Sequence, residues 1–272
     1  MDHQNDNQPY TPYAPPAADI GFGSVEEEMN FIPGGRSVPV GSAFAWISDS
    51  WGLFKRQSGT WIGFILTLLG MHIIAGFVPV IGDIAMAFIQ VLLIAGVIHS
   101  CGLLRREGSF RFGDLFIGFQ RKTGPLMILV LITFGFLIGV LLIAIIFLGI
   151  SIGGSSALLQ SSIDPAALLA TGGVGIIGIF IVIIGVSIYA MAAWFAPALV
   201  IMHDIAPFQA LKMSFSACLK NILPGIIFFI VMSVLMAVSV IPLGLGLLIT
   251  MPMLFICYYT SYCSIFLISE EN

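Results

Sequence analysis

The sequence predicts an all-α membrane protein: six transmembrane helices with three interfacial amphipathic cytoplasmic helices, arranged as three helix-plus-hairpin repeats. Three observations predict it. Only 9% of the 272 residues are charged while 58% are hydrophobic, and the mean hydropathy is +1.07. An ordinary soluble domain is about 25% charged, so these few charges could not cover a soluble surface of this size. Six apolar stretches are each long enough to cross about 30 Å of hydrocarbon, which takes about 20 helical residues. All ten Lys and Arg fall on one side of those stretches. A soluble enzyme, a secreted domain and a nucleic-acid binder are excluded together, the last because no basic stripe is interleaved with aromatics.

Residues 1–35 read as a disordered acidic cytoplasmic tail, and residues 36–272 as a six-span membrane domain. The tail holds Asp2, Asp6, Asp19, Glu26, Glu27 and Glu28 and no Lys or Arg. It is rich in Pro, Gly and polar residues and cannot bury enough apolar surface to offset the entropy of ordering. It has no basic n-region and no apolar core, so it does not read as a secretory signal. Its P-Y-T-P-Y-A-P-P stretch is either an entropic tether or a docking motif.

The apolar stretches lie at 61–80, 84–104, 124–150, 173–202, 222–241 and 245–268. Helices alone satisfy every backbone group in lipid without closing a barrel, and no period-2 alternation is present. Arg36, Lys55 and Arg56 precede the first span. Arg105, Arg106, Arg111, Arg121 and Lys122 lie between spans two and three, and Lys212 and Lys220 between spans four and five. The positive-inside rule then places both termini in the cytoplasm and requires an even number of crossings. Among the outer connections, Asp164-Pro165 and Gly172-Gly173 bracket a short helix, with Asp as N-cap, Pro at N1 and Gly as the stop. Spans three and four exceed the bilayer requirement and therefore tilt or project.

Three segments on the basic side align without gaps. Ile47, Trp51 and Phe54 match Phe112, Phe116 and Phe119, then Leu211, Phe215 and Cys218. Arg56 matches Arg121 and Lys220, and Thr60 matches Pro125 and Pro224 at a span entry. The four-and-three spacing is one helix face. Each segment reads as an interfacial helix leading into a two-span hairpin, with Trp51, Phe54, Phe116, Phe119 and Phe215 as interfacial anchors. Arg56, Arg121 and Lys220 would contact anionic headgroups, each contributing about 1 kcal/mol. In the first segment Trp46 and Leu53 lie opposite the Phe44/Ile47/Trp51/Phe54 stripe, as on a helix held between lipid and the bundle.

Chemistry-bearing residues are few. His72 is the ionisable side chain near the middle of a span, and such residues are functional candidates by default. A proton relay needs companions that this span lacks, so a neutral His bonded to a neighbouring helix is the plainer expectation. Gly149-Ile150-Ser151-Ile152-Gly153 matches G-x-S-x-G, but a nucleophile elbow requires a strand, a helix and a later His in reach. Gly and Ser here end a helix instead. His203-Asp204 lacks further metal ligands, and Asp before the third interfacial helix suits a helix N-terminus. Asp49 and Asp114 read as a solvated face. Gly135-x-x-x-Gly139 and Gly59-x-x-x-Gly63 permit close helix approach. Tyr258, Tyr259 and Tyr262 form either an aromatic belt or the lining of a lipid site. Cys101, Cys218, Cys257 and Cys263 have no metal-type spacing and read as small buried hydrophobes. No cofactor is expected.

A resemblance enters with five motifs: R-S-V-P-V-G at 36–41, W-G-L-F-K-R at 51–56, F-G-D-L-F-I-G-F at 112–119, W-F-A-P-A-L-V at 194–200 and A-L-K-M-S-F-S-A-C-L-K-N-I-L-P at 210–224. Over residues 36–268 the chain resembles an uncharacterised family of proteobacterial polytopic inner-membrane proteins. More distantly it is similar to multi-pass families whose cytoplasmic A-L-x-x-S helices precede hairpins. The resemblance implies a bacterial inner-membrane protein and brings no activity and no catalytic residue. The expected role is non-enzymatic: organising membrane lipids or assisting another membrane protein. The competing role is a transporter or channel for an uncharged or lipid-like solute. Convergence of the intramembrane polar residues on one water-filled path would separate the two.

Overall fold

The computed structural model describes residues 29–160 and 165–269. Eight α-helices carry the fold: α1 (Ser42–Arg56), α2 (Ser58–Gly76), α3 (Ile81–Arg106), α4 (Thr123–Gln160), α5 (Pro165–His203), α6 (Pro207–Lys220), α7 (Ile222–Val240) and α8 (Leu247–Phe266). A 3₁₀ helix spans Phe112–Phe119, between α3 and α4. Two short strands, β1 (Met29–Phe31) and β2 (Leu267–Ser269), pair antiparallel with Phe31 opposite Leu267. Among the described residues six helices are long and apolar enough to cross a membrane: α2, α3, α4, α5, α7 and α8. The protein is therefore an all-α multi-pass membrane protein, as its composition requires.

The six spans form three hairpins, α2–α3, α4–α5 and α7–α8. They do not share the core equally. Within its apolar window α8 is 61% buried, whereas α5 is only 11% buried. The hub is α8, which packs on α1, α2, α3, α5 and α7. The α4–α5 hairpin is peripheral and long. The 38 residues of α4 extend about 57 Å at 1.5 Å per residue, well beyond a hydrocarbon core of about 30 Å.

The short helices meet their spans at sharp breaks. Gln57 alone separates α1 from α2, with φ −142° and ψ 48°. Asn221 alone separates α6 from α7, with φ −123° and ψ 33°. Before α4 the break residue is Lys122, in the left-handed region at φ 57°. These three positions fall in the same register as Trp51, Phe116 and Phe215 in the sequence alignment.

Each short helix docks on the second span of another hairpin. The first, α1, lies on α8; the 3₁₀ helix lies on α3; and α6 lies on α5. The 3₁₀ helix approaches α3 backbone to backbone. A Cβ on Gly96 would sit 1.9 Å from the Leu115 carbonyl oxygen, and one on Gly118 would sit 2.1 Å from that of Leu92. No side chain larger than hydrogen fits at either place.

Several expectations are corrected here. Residues 29–35 are not tail: β1 and a turn through Gly34 and Gly35, at φ 82° and 67°, lie folded on the bundle. Residues 1–28 fall outside the described residues. The helix begun at Pro165 does not stop at Gly172-Gly173 but continues to His203, and Asp164 lies outside the described residues. Gly149-x-Ser151-x-Gly153 does not end a helix, because α4 runs through it. Gly59, Gly135 and Gly139 have no neighbour within 4 Å of a built Cβ, and Gly63 only meets Phe112 at 3.6 Å. Close approach in the long hairpin uses Gly178 against Phe147 and Gly185 against Val140 instead, at 2.8 and 2.7 Å.

Candidate functional site: a latched ring beside a lateral cavity

The short-helix end of the bundle is tied by side chains at the three break positions. Gln57 grips the backbone just ahead of the 3₁₀ helix. Its Oε1 accepts from the Phe110 N–H at 2.9 Å, and its Nε2 donates to the Phe110 carbonyl at 3.1 Å. Asn221 does the same to the segment ahead of α1. Its Oδ1 accepts from the Val38 N–H and its Nδ2 donates to the Arg36 carbonyl, both at 2.8 Å. Lys122 forms an ion pair with Asp204, in the connection ahead of α6. Every break residue thus holds the approach to the next short helix, and Asn221 returns the ring to its beginning.

The strap formed by residues 29–41 completes this seam. The Ile32 N–H donates to the Phe266 carbonyl and the Arg36 N–H to that of Ile265, both at 2.9 Å. Arg36 Nε donates to the Ser264 carbonyl at 2.9 Å. Phe31 stacks on His203, 3.7 Å between ring centroids. Lys220 Nζ donates to the Gly34 and Gly35 carbonyls at 3.0 and 2.9 Å. A Cβ on Gly35 would lie 2.8 Å from Ile265. The R-S-V-P-V-G motif is therefore a structural seam.

The faces of the short helices sort differently from the predicted stripe. The positions fully buried in all three are Ser50, Leu115 and Ser214, then Leu53, Gly118 and Ala217. These face the bundle. Of the predicted anchors, Trp51 and Phe119 are exposed, Phe116 and Phe215 are half-buried, and Phe54 is buried. Trp51 stacks on Phe54 at 5.6 Å with Lys55 over its ring, and Phe116 lies between Phe112 and Phe119. The structure keeps Trp51, Phe116 and Phe215 on three separate helices rather than gathering them.

The buried serines have work that the motif did not announce. Ser214, the serine of A-L-x-x-S, accepts from the Phe195 N–H at 2.9 Å and donates to the Met191 carbonyl at 2.7 Å. Those two groups are an i, i−4 pair of α5. One hydroxyl thereby bridges a turn of α5 just ahead of Pro197, a point where a helix ladder lacks a donor.

The remaining predicted residues are dispersed over α1, α2, α6, α8, the 3₁₀ helix and the connections. Arg56 Nη1 donates to the Leu104 carbonyl near the end of α3 at 3.3 Å. Arg121 is half-buried next to the Lys122 break. His72 is on an exposed flank and its Nδ1 meets the Leu68 carbonyl of its own helix at 2.9 Å, not a neighbouring helix. Asp49 pairs with Arg105 at 3.8 Å, and Asp114 accepts from the Arg111 N–H at 2.7 Å as a cap. Asp204 pairs with Lys122 rather than capping α6. The tyrosines are no belt. Tyr259 and Tyr262 are buried, Tyr262 reaching His203, and Tyr258 stacks on Trp194 at 4.2 Å. Burial pushes the Cys218 thiol up to about 12, so little reactive thiolate forms near neutral pH.

One cavity lies beside this ring. It has a volume of about 250 Å³ and sits between α5 and α7, floored by α1 and α8. Trp194 lines its wall, with Ile226, Phe229 and Ala190 exposed at the mouth and Trp46 and Ile265 buried behind them. Trp46 is 4% exposed, yet its indole N–H has no partner. A buried donor left unpaired costs roughly 1–3 kcal/mol. Trp61 Nε1 and Ser100 Oγ are likewise unpaired, but neither lines the cavity. Sequence periodicity placed Trp46 opposite the lipid-facing stripe and could not reveal that its N–H lacks a partner.

Fold and site together define a multi-pass helical membrane protein whose short helices are latched into a ring. The chain is similar to a probable inner membrane protein of Burkholderia thailandensis, at 26% identity over 261 residues, covering 85% of this chain and 93% of that protein. No family model matches the chain, and no solved structure matches it significantly.

Proposed function

We propose that this chain is a non-enzymatic auxiliary protein of the bacterial inner membrane, which organises lipid or assists another membrane protein. The observation that carries the reading is where its intramembrane polar groups turn. Thr67, Thr133, Ser187, Ser239, Thr250 and Ser261 each donate to a carbonyl three or four residues earlier in their own helix, while Thr260 donates to the Trp46 carbonyl of α1. His72 turns back in the same way. These groups do not face one another across a shared path, which favours the auxiliary role over a channel. The cavity between α5 and α7 favours a lipid-like solute, should the protein prove to be a transporter.

In this reading the three short helices lie at the cytoplasmic surface and both termini are cytoplasmic. Each unit is a short helix plus a hairpin, and the three close cyclically. The register of Gln57, Lys122 and Asn221 supports it. So does the docking of each short helix on the preceding unit's second span. Exposed Trp51 and Phe119 then meet the lipid interface.

The test is water access. In a chain with its native cysteines replaced, Thr67→Cys, Thr133→Cys and Thr250→Cys should resist a membrane-impermeant thiol reagent applied from either side. Labelling at two of the three from one side would establish an aqueous path and overturn the auxiliary reading.

A further inference from the structure

We infer that the cavity between α5 and α7 is a binding site for one acyl chain of a membrane phospholipid, whose ester carbonyl accepts the Trp46 indole hydrogen bond. This deepens the proposed lipid-organising role and rests on it.

The chemistry of the cavity selects the occupant. Its walls are almost wholly apolar, and aromatic rings flank it: Trp194 packs edge-on against Phe228 and Phe229, with centroids 6.0 and 5.2 Å away. Three other polar side chains on its lining are engaged. Ser187 donates to the Ile183 carbonyl and Ser261 to that of Cys257. The Asn221 amide serves the Arg36–Val38 strap through both of its ends. The Trp46 N–H is the buried donor left over, whereas the Trp194 indole in the wall is only half-buried. A ligand that completes this site brings an acceptor on an apolar body. Buried indole N–H groups ordinarily find such a partner.

Position narrows the class. Residues 222–229, which supply one wall, are the first two turns of α7 and span about 10 Å of helix. They enter the membrane from the short-helix end, so the cavity occupies the outer layer of that leaflet. Lipid ester groups lie at this boundary, with their chains running inward. The mouth, at Ile226 and Phe229, is 50% and 51% exposed on the lateral face of the bundle. A chain enters from the bilayer without crossing water. At about 250 Å³ the cavity is smaller than the roughly 300–1,000 Å³ of small-molecule pockets. It admits a chain segment and excludes a bulky ring system.

The experiment uses the full chain, purified in mild detergent, stripped of lipid and titrated with a diester phosphatidylethanolamine. Bound lipid is counted by native mass spectrometry. One lipid should be retained per wild-type chain at detergent concentrations that strip the remainder. Trp46→Phe should retain at least fivefold less, and Ile226→Trp, which blocks the mouth while keeping Trp46, should lose it as well. Trp61→Phe removes the other buried unpaired indole and should retain lipid as the wild type does. A diether analogue without the carbonyl should bind at least fivefold more weakly than the diester. Equal retention by Trp46→Phe and wild type, or equal binding of diester and diether, would overturn the site. That failure is separable from failure of the auxiliary role, which is read from thiol labelling at Thr67, Thr133 and Thr250.

Discussion

The two ends of the bundle are built on different terms. At the short-helix end, chain meets chain: Ser50, Leu115 and Ser214 are fully covered, and Gly96 and Gly118 bring backbones together. At the far end the turns are bare. Phe77 is 80% exposed and Leu243 is 97% exposed. In water such side chains would drive collapse or association. In lipid they are already in an apolar solvent, and no hydrophobic force pulls them inward. Among the described residues, close backbone approach at the far end is confined to the hairpin turns, Gly82 against the Ala75 carbonyl and Gly246 against Ser239, whereas the short-helix end, at the polar boundary, needs specific partners for its backbone and charges. Stability and specificity should therefore concentrate at one end.

The largest effect should follow removal of the strap. A chain starting at Met29 should reach the membrane and melt as the full chain does. One starting at Arg36 loses β1, the Phe31–His203 stack and the acceptors of Lys220 Nζ. That loss should cost about 3–4 kcal/mol, from one half-buried aromatic and two or three hydrogen bonds. Equal melting of the two truncations in detergent would mean that the seam carries no stability.

Next come the glycines. Gly96→Ala and Gly118→Ala force a methyl into a carbonyl oxygen and should each cost about 1–3 kcal/mol. Gly135→Ala and Gly139→Ala, which have open space, should be neutral or stabilising by up to about 1 kcal/mol. Thermal unfolding in detergent checks all four, and a reversed order would erase the contrast between the ends.

The latches sharpen the comparison within the ring itself. Asn221 is buried and makes three hydrogen bonds, counting one to the Ala217 carbonyl. Asn221→Ala should cost about 2–3 kcal/mol and Gln57→Ala about 1 kcal/mol. Lys122→Ala removes a partly exposed ion pair and should cost under about 1 kcal/mol, less at high salt.

How much of this was legible follows the same division. The spans were readable because lipid demands only length and hydropathy: all six appear, four of them within a few residues of their expected ends, while α4 and α5 run eight to ten residues further at the far end. Positions of the short helices were readable too, because aromatics recur at fixed register beside a basic residue. Which face they bury was not. The stripe through Trp51 and Phe116 is conspicuous because it is aromatic, but the covered face sets Leu53 and Leu115 among Ser50, Ser214, Gly118 and Ala217, small residues silent in any hydrophobic pattern. The strap was missed because its bonds use backbone groups, and a segment with little apolar side chain reads as tail. The sequence favours a bond from His72 to a neighbouring helix, yet the i−4 carbonyl of Leu68 offers the same bond without one. At the cavity, an apolar lining is indistinguishable in sequence from an apolar core, and only the geometry leaves the Trp46 N–H without a partner.

The central claim is that three units close into a ring at the short-helix end. Proximity across its three seams tests it most directly. In a chain with native cysteines replaced, cysteine pairs are placed at Ser37 and Lys220, at Ser58 and Ser109, and at Lys122 and Asp204. A short bifunctional thiol reagent is applied, and links are read by mass spectrometry after proteolysis. All three pairs should link within one chain, and the mismatched pair at Ser58 and Asp204 should not. Failure of any one matched pair while the others form would mean an open arc, and would contradict the account.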